Sequence, residues 1–310
     1  MRKFYAISAF LWVFSSALTA QSPTDGLMMP KRNFCTLAQY ATSNWDEYWQ
    51  GETKRSNSNL GTFTSQNVML MSNYGISDRL NILAALPYVW TKSSASYLEG
   101  QKGIQDLSIW LKYQAWGKKW SSGNEVKVQA TGGLSTPLSS YTGDFLPFSI
   151  GLHSKTASLR GIVNFTHRSG LYATAQGGHT WRSTITLDRD AFIFNNEVIQ
   201  SDEMPVPNVL DASGRLGFIN KKVQAELWYE YSTGLSGDDI RYNEAPQASN
   251  KMQMAAAGIF AKYWITRSIA VQASYSQVLS GRNVGQGTMI TAGTTYLFKL
   301  RQRSASTPSK

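Results

Sequence analysis

Ile104-Gln105-Asp106-Leu107-Ser108-Ile109-Trp110-Leu111-Lys112-Tyr113-Gln114 is the stretch that decides the fold. Leu107, Ile109, Leu111 and Tyr113 occupy alternate positions, with Asp106, Ser108, Lys112 and Gln114 on the opposite parity. Successive side chains of an extended chain point to opposite faces, so period two with one apolar face is a half-buried strand and not a helix. The pattern recurs from Val223, where Val223, Ala225, Leu227, Tyr229 and Tyr231 oppose Gln224, Glu226, Glu230 and Ser232. Residues Glu125 to Thr131 alternate in the same way, and Leu80, Ile82, Ala84, Leu86, Tyr88 and Trp90 form another apolar row.

About twelve such segments follow from the alternation rule, at 33–49, 60–74, 79–91, 104–116, 124–136, 145–167, 169–188, 205–218, 222–236, 250–265, 268–281 and 286–300. The segment 145–167 is the weakest, because its apolar parity switches between Leu152 and Leu159. A bulge, a break or a short helix is expected there, which sets the count at roughly 10–14. Connections alternate in length. Short turns fall at Gly75-Ile76-Ser77-Asp78, His167-Arg168-Ser169-Gly170, Ile219-Asn220-Lys221-Lys222 and Ile265-Thr266-Arg267-Ser268, and a middling one near Gly117-Lys118-Lys119. Longer polar loops fall near 50–59, 92–103, 137–144, 189–204 and 237–249. Short turns on one side and long loops on the other characterise a transmembrane barrel, with periplasmic turns and extracellular loops. A soluble sandwich has no reason to alternate its loop lengths. Segments of a dozen residues also match a tilted span better than a globular strand of roughly five or six. Tyr88, Trp90, Tyr113, Trp116, Tyr229, Tyr231, Tyr296 and Phe298 stand at segment ends, as interfacial girdles do. The expected fold is all-β: a transmembrane antiparallel β-barrel, closed because every backbone donor must pair in hydrocarbon.

The first residues agree with that setting. Arg2 and Lys3 precede an apolar run from Phe4 to Phe14, then small residues to Ala20, then Gln21. This is a cleavable signal peptide over 1–20, its run well short of the roughly 18–20 residues a spanning helix needs. The expected divisions are that leader, an N-terminal periplasmic segment at 21–32, a barrel over 33–300 and a polar tail at 301–310. The expected location is the outer membrane of a Gram-negative bacterium, reached with the barrel-assembly machinery. The formal charge of +10 falls to +8 without Arg2 and Lys3. Its Lys and Arg are dispersed, so the excess fits a lipid bilayer, lipopolysaccharide or anionic solutes better than nucleic acid. The single cysteine, Cys35, cannot form an internal disulfide, and no subunit count follows from the pattern.

Asn73-Tyr74-Gly75-Ile76-Ser77-Asp78-Arg79-Leu80, with Leu86-Pro87-Tyr88 behind it, resembles a family of outer-membrane barrels in the FadL-like, porin-like superfamily. That family is labelled as transporters of the meta-pathway of phenol degradation. Gly103-Ile104-Gln105-Asp106-Leu107-Ser108 with Leu111-Lys112-Tyr113 is similar to its Gly-Asp-Leu…Leu-Lys-Tyr hairpin. Gly133-Leu134-Ser135-Thr136-Pro137 resembles its Leu-Pro-Thr-Gly strand end in a different order. The resemblance covers residues 60–140 and implies a barrel and transport, without naming a solute. In physical terms Gly75 permits the tight turn, Asp78 can cap it, and Pro87 needs a place where a ladder donor is dispensable, such as a bulge. The chain also departs from the family's usual aromatic end, since a polar tail follows Tyr296-Leu297-Phe298.

By parity, Asp106, Lys112, Glu125, Lys127, Arg182, Glu226 and Glu230 point into the lumen, and Trp110 and Trp228 share that side. Both signs of charge are present, so neither cation nor anion selectivity follows. Salt-bridge packing in a narrow barrel accounts for any one of them as well as a pore does. The inward tryptophans point weakly toward hydrophobic or aromatic solutes. The expected function is therefore an outer-membrane channel or transporter for small solutes. The alternative is a lipid-active enzyme, or a structural or recognition barrel that transports nothing. His153, His167 and His179 are the candidates for catalysis, but none has a Ser and an acidic or amide partner at motif spacing. No catalytic residue, cofactor or metal ligand is assigned: three scattered His and one Cys have no ligand spacing. The glycine-rich stretch Gly281 to Gly287 lies between two strands, so it is a hairpin loop and not a phosphate cradle.

Overall fold

The computed structural model describes residues 22–194, 197–241 and 244–299; the leader over 1–20 and the tail over 301–310 lie outside them. Twelve long strands wind into one closed barrel. They are β1 (Asn33–Trp45), β2 (Phe63–Ser77), β3 (Leu80–Ser93), β4 (Asp106–Lys119), β5 (Glu125–Pro137) and β6 (Thr156–Thr166). The second half comprises β7 (Leu171–Arg182), β8 (Val209–Ile219), β9 (Val223–Gly234), β10 (Gln253–Trp264), β11 (Ile269–Arg282) and β12 (Thr288–Lys299). Each strand pairs antiparallel with its sequence neighbour, and β12 returns to β1 from Asn33↔Lys299 to Asn44↔Thr288. An even number of antiparallel strands closes without an edge, which satisfies the whole ladder internally.

Burial is inverted relative to a soluble protein. Leu216, Leu227 and Ile259, at the centre of adjoining strands, are 65 %, 62 % and 53 % exposed, whereas Asn81, Lys112 and Thr295 are 0 % exposed. The large apolar residues form an outer belt, bounded toward the long loops by Tyr88 and Tyr231 and toward the short turns by Trp116, Tyr263, Tyr296 and Phe298. This is the surface that hydrocarbon solvates, with aromatic rings at its two borders.

The short turns are locally encoded. Gly170 closes the turn after β6 at φ +93, the left-handed region glycine adopts freely. Asn220 Oδ1 accepts from Lys222 N and Val223 N, and Thr266 Oγ1 accepts from Ser268 N and Ile269 N. Both are side-chain-closed turns. Pro87 sits where the β3–β4 ladder is interrupted, between Ala85↔Ser108 and Tyr88↔Ile104, and its carbonyl accepts from Gln105 N.

Three structural readings of the motif residues change. The segment 145–167 is strand only from Thr156; residues 138–155 form a loop, so the parity switch at Leu152 is the boundary between them. Gly75 is not at a left-handed turn. It lies within β2 and lets the N-terminal segment approach: a Cβ there would collide with the Pro30 carbonyl oxygen, and Gly75 O accepts from Arg32 N. Asp78 Oδ1 accepts from Lys31 N at 3.0 Å, tying that same segment to the turn, while Ser77 Oγ accepts from Arg79 N inside it. Residues 22–32 accordingly enter the barrel from the short-turn end. Met29 is buried there with Cys35, Trp264, Ala270 and Leu297.

Candidate functional site: the lumen and its two ends

The inner wall is built by the polar parity of each strand, and the N-terminal segment occupies its lower half. Lys112 of β4 donates to Asp25 Oδ1 at 2.8 Å, to Asp25 O at 2.5 Å and to Ser22 O at 3.2 Å. All three hydrogens of a fully buried ammonium are thereby used. Gln129 of β5 donates to Gly26 O at 2.9 Å, and Arg215 of β8 to Thr24 Oγ1 at 3.0 Å. Gly26 packs directly on Asn164 of β6, where a Cβ would collide. Four strands thus grip four residues of a segment with no regular structure of its own.

Arg215 also pairs with Glu226 of β9 at 3.2 Å, and Glu226 accepts from Tyr172 Oη at 2.5 Å and Gln224 Nε2 at 2.6 Å. Beside this cluster lies a cavity of about 220 Å³. Leu37, Met69, Met71 and Phe260 line it together with Arg215, Lys262, Gln224, Gln272, Asp25 and Glu226. Toward the long loops, Arg160 of β6 binds both carboxylate oxygens of Asp211 of β8, at 2.6 and 2.8 Å. Gln176 of β7 links Asp211 to Ser213. Arg160 Nε, Arg215 Nε, Gln176 Oε1, Gln224 Oε1 and Thr131 Oγ1 are buried without a protein partner. Buried polar groups are normally satisfied, so these mark a hydrated interior.

The residues assigned to the lumen by parity fall as follows. Lys112 and Glu226 are buried in the networks above, and Glu230 is partly buried one inward position beyond Trp228. Trp110 lies flat against Gly133 and Trp228 against Gly258, each ring filling the place a side chain would take. Glu125 and Lys127 pair with each other at 2.9 Å near the short-turn end. Arg182 donates to Pro207 O at 3.3 Å at the other end. Asp106 accepts from Tyr141 Oη at 2.6 Å. Asp25, Arg160, Asp211, Arg215 and Lys262 were not singled out by the alternation, yet they add five more charges to the interior.

The long-loop end is covered. Residues 138–155 fold inward: Phe148 packs edge-on against Phe63 at 5.7 Å, and Thr91 Oγ1 of β3 donates to Phe148 O at 2.6 Å. Burial and its hydrogen bond to Asp106 push the Tyr141 phenol well up, so Tyr141 stays a donor at any working pH. Ile185, Leu187, Phe192, Met204, Val206 and Ala248 form a small apolar core between residues 183–208 and 235–252, with Leu152 against it. Asn283, at φ +54, stitches the remaining loops together. Its Oδ1 accepts from Gly51 N and Ile240 N, and its Nδ2 donates to Asp239 Oδ1 and Lys251 O. Arg282 holds Asp239 with two bonds of 2.7 Å.

That clamp has a pH dependence with a definite sign. The Arg282 hydrogen bonds hold the Asp239 carboxyl below its ordinary value, and Asn283 adds to them. A carboxylate with a lowered folded-state pKa contributes above its unfolded pKa of roughly 3.9 and is lost as pH falls through the folded value. Protease susceptibility of residues 235–252 should therefore stay constant from pH 8 to pH 5 and rise only below pH 4. Asp239→Asn should show the raised susceptibility at every pH; a wild-type increase between pH 7 and pH 5 would contradict this assignment.

The histidines do not converge. His153 stacks edge-on against Tyr141 at 4.8 Å, His167 bonds Ser169 within an exposed turn, and His179 stacks on Trp181 at 4.3 Å. Among the described residues no three His, Cys, Asp or Glu groups come together to hold a metal ion.

A closed 12-stranded barrel with an apolar belt and a charged, hydrated interior defines a transmembrane β-barrel of the outer-membrane type. The chain belongs to the family described as "Putative MetA-pathway of phenol degradation", whose sequence profile matches residues 47–292. No curated protein sequence matches. Among solved structures, the COG4313 outer membrane channel from Pseudomonas putida F1 aligns at a TM-score of 0.66 and 17 % identity, over 90 % of this chain and 100 % of that one. A TodX deletion mutant, described as a monoaromatic hydrocarbon channel, aligns at a TM-score of 0.44 and 9 % identity, over 88 % of this chain and 91 % of that one. NanC porin aligns at 0.47 and 9 % over 84 % and 99 %. The last two scores are too low to carry an argument.

Proposed function

We propose that this chain is an outer-membrane channel for small solutes, exported with its leader 1–20 removed, and that the conformation described is its closed state. The observation that carries this is the inverted barrel, with Lys112, Arg160, Arg215 and Lys262 inside a wall that is apolar outside. A barrel serving only as an anchor gains nothing from burying so many charges, since desolvating each ion costs several kcal/mol. The family description and the channel character of the Pseudomonas putida relative support the same reading. Met69, Met71, Phe260, Trp110 and Trp228 add apolar surface along the route, which favours solutes with a hydrophobic or aromatic part.

The test is purified protein in planar bilayers and solute-loaded liposomes. Small, intermittent conductance steps and saturable solute entry are expected. An electrically silent and impermeable barrel, silent also after residues 22–29 are removed, would overturn the proposal.

A further inference from the structure

We propose that the outer face of β1–β3, at its long-loop border, is a docking site for a phosphorylated glycolipid, a sugar headgroup that bears phosphate and several acyl chains. The proposal goes beyond the channel reading and does not depend on conduction. It rests only on the long loops facing the cell exterior.

Strand register lays this face out in rows. Ala38, Leu70 and Leu86 stand side by side within the apolar belt. Next toward the loops come Tyr40, Val68, Tyr88 and Ile104, all exposed. The row above holds Thr42, Gln66, Trp90 and Lys102, and the last holds Asn44, Thr64 and Lys92. The face therefore passes from hydrocarbon through aromatic rings to amides and ammonium groups, which is the order of chemistry across a leaflet and its headgroups. Three interstrand spacings make the platform about 14 Å wide, broader than a single acyl chain.

Its polar groups are organised on the outside of the barrel. Trp90 Nε1 donates to Gln66 Oε1 at 2.8 Å, Gln66 Nε2 donates to Tyr40 Oη, and Thr64 Oγ1 donates to Asn44 Oδ1 at 2.8 Å. These bonds fix the side chains and leave the Tyr40 hydroxyl hydrogen, the second Gln66 amide hydrogen and the Asn44 amide to donate outward. Lys92 and Lys102 are exposed and form no ion pair among the described residues, nor does Glu99, the acid of the loop between them. They are diagonal neighbours on adjoining strands, roughly 7–8 Å apart at their Cβ atoms, so their long stems can close on one phosphate or splay to two. Ammonium groups and amides at this depth suit phosphate and sugar hydroxyls. The rest of the same border is unlike it. Leu138, Trp181, Leu210, Leu235 and Leu279 are exposed there, Lys155 stands singly among them, and Arg282 is held by Asp239.

The experiment uses the full mature chain, delipidated in detergent and titrated by native mass spectrometry. Bisphosphorylated lipid A, the same lipid A without phosphates, and phosphatidylglycerol are the probes. One lipid A should bind, and the other two at least tenfold more weakly. Lys92→Gln with Lys102→Gln should weaken lipid A at least tenfold, Gln66→Leu should weaken it several-fold with both lysines in place, and Lys155→Gln should leave it unchanged. The heat-dependent gel shift of a closed barrel verifies folding of each variant. Equal binding of phosphatidylglycerol, undiminished binding without phosphates, or unchanged lipid A affinity in the folded double variant would each overturn the site. Conductance recorded in parallel keeps the two readings apart. A conducting barrel that binds no lipid A removes the docking site and leaves the channel, and a silent barrel that binds it does the reverse.

Discussion

Lys112→Met should release residues 22–29 from the lumen while leaving the barrel closed. Methionine keeps the length and apolar stem of lysine but removes the ammonium that serves Asp25 Oδ1, Asp25 O and Ser22 O. Asp25, whose side chain is only 11 % exposed, would then be a buried carboxylate stripped of its ion-pair partner. Leaving one partner of a buried ion pair behind costs about 3–5 kcal/mol. The system can avoid that cost in two ways, by unfolding the barrel or by moving Asp25 into water. Unfolding breaks all twelve strand pairings of the barrel. Withdrawal breaks a few contacts of a segment without regular structure, chiefly Gln129 to Gly26 O, Arg215 to Thr24 and Lys31 to Asp78. Withdrawal is the smaller loss, so the segment moves. Trypsin should cut at the exposed Lys31 or Arg32 at least tenfold faster than in wild type, the urea midpoint should shift little, and single-channel conductance should rise several-fold. Adding Asp25→Asn to Lys112→Met removes the stranded charge and should restore much of the protection. Full protection of the segment in the single variant would show that the ion pair does not hold it.

The distribution of what the sequence disclosed follows from where its signal is strong. Alternation is unambiguous in β4 and β9, where Leu, Ile and Tyr on one parity meet Lys, Gln and Glu on the other. These strands supplied Asp106, Trp110, Lys112, Glu226, Trp228 and Glu230 as inward residues. In β10 the contrast is flattened by Ala255, Ala256 and Ala257, and Lys262 near its end attracted no notice. Arg160 was lost because the parity switch at Leu152 hid the true start of β6 at Thr156. Arg215 and Asp211 sit at polar positions of β8 among glycines and small residues, which make a faint stripe. Asp25 precedes the first strand, where no periodicity exists to place it, and only the folded barrel brings it to Lys112, 87 residues along the chain. Gly75 shows the same limit. Its turn-side location invited a turn explanation, whereas the reason for glycine is a carbonyl of a segment over forty residues earlier. Strand identity is a local property of the chain; pairing across a lumen is not.

Leu227→Arg tests the setting on which all of this depends. Leu227 is 62 % exposed at the centre of the apolar belt, flanked by Leu216 and Ile259 on the neighbouring strands and lying below the ring of Tyr229. In water, exchanging an exposed leucine for arginine changes stability by no more than about 0.5 kcal/mol. At the midplane of a bilayer the same exchange on a barrel costs about 2–4 kcal/mol, because the guanidinium must be desolvated or drag water and headgroups inward. An unfolding titration of the protein in phosphatidylcholine vesicles should show a loss of that size for Leu227→Arg. Tyr88→Arg, at an exposed site on the same outer parity but nearer the long-loop border of β3, should lose no more than about 1 kcal/mol. The contrast follows depth and not exposure, since both side chains are open to the barrel's surroundings. A loss near zero at Leu227 would place the belt in water and require a soluble partner to cover it. A loss of several kcal/mol at the centre, fading toward the border, fixes hydrocarbon as the solvent of the outer wall and therefore the lumen as the only polar path through it.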